Sequence, residues 1–161
     1  MKLMLLALIA TAQAHAATIM DCSNNYVGST LVTEDNGYLT VKLGARGFNS
    51  THPLAHRLDL PAREAELKNG QFMIPRSDCE FGKNAGHFNC ESRGVLITFT
   101  GRDGTVHAAQ VDKLEVRAGV IGTGLRSYQS IFYDMTFKGH LVDHFDHYGV
   151  SSGKICGREA E

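Results

Sequence analysis

No segment of this 161-residue chain is long and apolar enough to cross a membrane as a helix. A hydrocarbon core needs roughly 20 consecutive apolar residues, and the longest apolar run, Leu3 to Ala12, has about half that. Positive charge is not in excess either. Sixteen Lys and Arg stand against 17 Asp and Glu, a formal net charge of −1, and the basic residues are scattered as singles. Without a basic cluster there is little to release counterions from a phosphate backbone, so nucleic acid is not an expected partner. The chain also lacks a C-x-x-C pair, an internal repeat, a low-complexity tract and a recognisable linker. These absences argue against a zinc ribbon, a solenoid and a multidomain array.

The amino-terminal run has a purpose of its own. Lys2 supplies a positive charge, Leu3 to Ala12 an apolar stretch, and Ala14-His15-Ala16 an A-x-A cleavage site, the three parts of a secretory signal. Residues 1–16 are therefore expected to be a signal peptide, and 17–161 a single exported domain, periplasmic or extracellular. Ile19-Met20-Asp21 before Cys22 are not the small residues that precede a lipidated cysteine. No membrane anchor is expected.

All four cysteines, Cys22, Cys79, Cys90 and Cys156, follow the leader. An even number in an exported chain points to a disulfide framework, with three pairings possible. Cys79 with Cys90 is preferred because the two bracket a turn-like segment containing Gly82, Asn84 and Gly86. Cys22 with Cys156 then ties the first strand to the last.

Period-two alternation dominates the body of the chain. Leu39, Val41 and Leu43 alternate with Tyr38, Thr40 and Lys42, the pattern of a half-buried strand. Asn36-Gly37 joins this strand to Thr30–Thr33, and both residues tolerate the positive φ of a tight hairpin. Val95, Ile97 and Phe99 repeat the pattern, and Gly101-Arg102-Asp103-Gly104 turns the chain into a second hairpin. Leu114, Val116 and Ala118 mark a further face, followed by a break at Gly119, Gly122 and Gly124; Ile131, Tyr133, Met135 and Phe137 mark another. Only Pro61 to Lys68 reads as helical, with Asn69-Gly70 as its stop. The expected fold is all-β and mainly antiparallel: a small barrel or a two-layer sandwich with one short helix, stapled by two disulfides.

Motifs for chemistry are weak. Gly149-Val150-Ser151-Ser152-Gly153 matches a nucleophile elbow in letters, but no histidine or aspartate follows to complete the triad order. Gly122-Thr123-Gly124 lacks the rest of a dinucleotide fingerprint. Asn49-Ser50-Thr51 is a formal glycosylation sequon and marks an exposed loop. His52, His56, His87 and His107 are isolated.

The segment from Gly139 to Tyr148 concentrates metal-capable side chains, and its meaning depends on the backbone. As a helix it aligns His140, His144 and His147 one turn apart, a spacing able to hold zinc or copper. As a strand it sets His140 and His144 about 13 Å apart at the usual rise, with His147 turned away from both.

By elimination, the expected function is a non-enzymatic exported binding protein, an inhibitor or a small-ligand carrier without a cofactor. Its partner is an unidentified protein or small molecule, and Phe81, His87 and Phe88 are the candidate contacts in the Cys79–Cys90 loop. Two alternatives are a metal-binding protein using the three histidines and a secreted hydrolase whose acid and base converge from separate strands.

Overall fold

The computed structural model describes residues 16–24, 28–44, 54–63, 67–83, 86–121 and 128–150. Nine strands account for most of them: β1 (Ala17–Asn24), β2 (Gly28–Asp35), β3 (Tyr38–Leu43), β4 (Leu67–Pro75), β5 (Cys79–Phe81), β6 (Phe88–Gly101), β7 (Val106–Ile121), β8 (Tyr128–Phe137) and β9 (His140–Val150). Every pairing is antiparallel. The all-β expectation is met.

The hairpins at Asn36-Gly37 and at Gly101-Arg102-Asp103-Gly104 form where turn chemistry placed them. Asn36 and Gly37 take φ of 49° and 80°, so the β2–β3 connection is a two-residue turn with both residues in the left-handed region. Lys138 and Gly139, at 51° and 75°, do the same between β8 and β9. Along β3 the alternation delivers Leu39, Val41 and Leu43 to the core, and along β8 it delivers Ile131, Tyr133 and Met135.

The sheet runs β1-β2-β3-β4-β6-β7-β8-β9, with β5 paired to β6 off this path. It is open: among the described residues β1 and β9 are its two edges, which replaces the expected closed barrel or two-layer sandwich. The sheet nevertheless curls strongly. Phe72 on β4 and Tyr133 on β8 are three strands apart, about 14 Å in a flat sheet, yet their ring centroids are 5.9 Å apart in an edge-on contact. Strands as long as β6 and β7, 14 and 16 residues, accumulate enough twist to wrap one apolar face around one core. Met20 of β1 and Val142 of β9 belong to the same buried cluster.

Of the expected helix from Pro61 to Lys68, residues 61–63 are not helical, Leu67 and Lys68 are strand, and 64–66 lie outside the described residues. Leu54–Arg57 forms a single-turn helix, α1, whereas Leu67 to Gly70 opens β4. Asn69 and Gly70 pair with Thr100 and Phe99 instead of stopping a helix, because ladder hydrogen bonds and burial outweigh the weak preference of two alanines and a leucine. Leu54, Ala55 and Leu58 are buried against the core. The Arg57 guanidinium donates to the Val142 carbonyl of β9 at 3.0 Å, and Lys138 pairs with Asp59, so α1 is fastened to the edge strand.

Candidate binding site

Pro75 has no N–H to continue the ladder, and the chain leaves β4 there. A 3-10 turn over Arg76–Asp78 carries it to β5, which rejoins the same side of β6. Side chains secure this detour. The Ser92 hydroxyl, 3% exposed, donates to the Asp78 carboxylate at 2.6 Å. Arg76 donates from its backbone to the Gly37 carbonyl at 2.7 Å, pairs with Glu34 at 3.2 Å, and lies 3.5 Å above the centre of the Phe81 ring. Cys79 and Cys90 are direct register partners and form a disulfide, as the bracketed turn indicated.

The loop beyond is held as firmly, but it does not offer all the expected contacts. Phe88 is 2% exposed and belongs to the core, and Phe81 packs on it with centroids 5.8 Å apart. His87 is half-buried; its carbonyl accepts from the Gly82 N–H at 2.8 Å, and its ring rests over Gly119 of β7. The outward surface of the described hairpin is Glu80, Gly82 and Lys83.

The histidine segment is strand. His140 is exposed at the start of β9, opposite Phe137; His144 and His147 hold register positions opposite Asp134 and Ile131. The helical alignment that would bring the three imidazoles to one ion is not the one the backbone adopts. The side chains of His144 and His147 lie outside the described residues, as do Ser151 to Gly153, Gly122 to Gly124 and the sequon. Cys22 is on β1, and its proposed partner Cys156 lies outside the described residues.

An acid and a histidine do come together in the β6–β7 turn. Asp103 is held below the ordinary aspartate range chiefly by the Thr105 N–H and hydroxyl, at 2.9 and 2.8 Å, with a smaller contribution from the charge of His107. Both carboxylate oxygens thus serve the turn. Neither residue is part of the lining of the cleft described next.

A cleft is found on the outer face of the sheet, and sequence reading did not single it out. It has a volume of about 520 Å³ and is lined by Leu31, Lys42, Asn69, Gln71, Thr98, Thr100 and Val106, together with Leu43, Gly44 and Gly70. Register explains the assembly. Leu31 pairs with Lys42, Lys42 with Gln71, Gln71 with Thr98, and Thr98 with Ala108, a continuous row across β2, β3, β4, β6 and β7. Asn69, Thr100 and Val106 form the next row, set by a bulge in β4 where Leu67 faces Gly101 but Asn69 faces Thr100. Lys42 is the one charged side chain of this lining. Five strands contribute, so only the outward alternation of Lys42 within β3 carried any trace of the cleft in the chain itself.

Comparison with known proteins adds no relative: no protein-family model matches the chain, and neither a curated protein nor a solved structure does so.

Proposed function

We propose that this is an exported, non-enzymatic binding protein that presents a preformed face of its sheet to a small ligand. The observation that carries the reading is the cleft lining: one ammonium, two amides, two threonine side chains and aliphatic surface, all placed by strand register. Such a set can orient a ligand by hydrogen bonds and contact; it contains no carboxylate, imidazole or thiol to transfer a proton or attack a bond. A strand backbone loses little freedom on binding, and a stapled framework lowers that cost further. Of the two binding modes, carrier is favoured over inhibitor because the aromatic residues of the Cys79–Cys90 hairpin face inward. The leader supports export, and export supports the oxidised cysteines.

The test is native mass spectrometry of the protein mixed with the small-molecule fraction of its own source extract. The expected result is a saturable bound species with the extract otherwise unchanged. Time-dependent loss of an extract component at catalytic amounts of protein would contradict the reading, as would the absence of any bound species.

A further inference from the structure

The outer row and its neighbour define a polarity as well as a volume. Lys42 is near one end, one strand from Leu31, and Val106 is three strands away, about 14 Å at normal strand spacing. Val106 is 66% exposed, an unusual position for a valine on a strand. Between them Thr98 donates its hydroxyl to the Gln71 carbonyl at 3.3 Å, which commits that donor and leaves the methyl to meet a ligand. Asp21, which pairs with Leu31, is the nearest carboxylate along the row and is two strands from Lys42. Among the described residues Lys42 makes no ion pair.

We infer that the cleft takes an amphiphilic monoanion, a carboxylate head on Lys42 with an unbranched aliphatic tail lying along the sheet toward Val106. This rests on the binding reading above and names its ligand class. An isolated ammonium beside amide donors favours a single negative charge over a neutral or cationic head. The methyl and isopropyl groups along the path suit a tail and offer no stacking surface for an aromatic ring. A charge on one side and a tail on the other also fix the direction in which the ligand lies.

The experiment is an NMR titration of the protein carrying its Cys79–Cys90 disulfide, with octanoate, acetate and octan-1-ol as probes. Octanoate should give saturable shifts at the amides of Lys42, Gln71, Thr98 and Thr100. Octan-1-ol and acetate should each bind at least fivefold more weakly, one for want of charge and the other for want of a tail. Lys42→Met should weaken octanoate at least fivefold and leave octan-1-ol unchanged, and Val106→Asn should weaken octanoate and leave acetate unchanged. Both positions are exposed, so the backbone spectrum of each variant should remain that of the parent. Equal binding of octanoate and octan-1-ol, an unaffected Lys42→Met, or no saturable shift at these amides would overturn the inference. If octanoate fails while the extract still yields a bound species, the ligand class alone is wrong; if both fail, the binding reading fails with it.

Discussion

Ser92 is one of the few polar side chains in the buried part of the sheet, and its hydroxyl is satisfied by Asp78. Ser92→Ala removes the donor and leaves the carboxylate facing an apolar neighbour, a change of about 1–3 kcal/mol. Urea denaturation should register it as a lower midpoint with an unchanged slope. Asp103 works differently, because it is solvent-exposed and acts through its own turn. Its folded value is depressed, so its contribution is complete above the ordinary aspartate range and vanishes as pH falls through the lowered value. A carboxyl NMR titration should find its midpoint below that of a free aspartate, and Thr105→Val should move it upward by removing the hydroxyl donor. Residue by residue, the core was legible: Leu39, Val41, Leu43, Ile131, Tyr133 and Met135 were readable as inward positions from alternation alone. Phe88 was not, because a loop bracketed by cysteines and a strand that begins before the second cysteine look alike in one dimension.

Hairpins, unlike closure, are specified by a few neighbouring residues. Asn36-Gly37 announced its turn because few other pairs accept two successive positive φ values, and the structure uses both. Gly37→Ala should therefore destabilise the protein by about 1 kcal/mol through backbone strain alone, since nothing crowds its Cβ position. Thermal unfolding of the single variant would show this. The α1 displacement teaches the converse. Pro61, Ala62 and Ala65 carry helical preference, but Asn69 and Gly70 have ladder partners on β6 and the sheet takes them. The β4–β5 detour is a third case, in which a proline, a 3-10 turn and a disulfide hold one irregular element. Replacing Cys79 and Cys90 together by Ala should lower stability by about 3 kcal/mol, the loop-closure entropy of a bridge spanning 11 positions. The comparison is of oxidised parent and double variant in denaturant.

At the scale of the molecule, the described residues form a curled, open ribbon around one core, with β1 and β9 as its edges. Closure was beyond reach of the sequence, because accumulated twist over five or six strands decides it and no local pattern records that sum. The Phe72–Tyr133 contact is where the curl is most directly visible, and Phe72→Ala should cost about 3–5 kcal/mol by opening a void in the shared core. We propose that a Cys22–Cys156 bond links β1 to the chain beyond β9 and so fastens the two edges covalently. Non-reducing peptide mapping should recover that linked pair beside Cys79–Cys90. The cleft, too, exists only at this scale, since its lining comes from five strands. Amide hydrogen exchange, with and without the small-molecule extract fraction, tests the central claim of a rigid sheet that binds on its outer face. Protection should rise in β3, β4 and β6 and stay constant in α1, β8 and β9. Unchanged exchange in β3, β4 and β6, or protection confined to other strands, would contradict it.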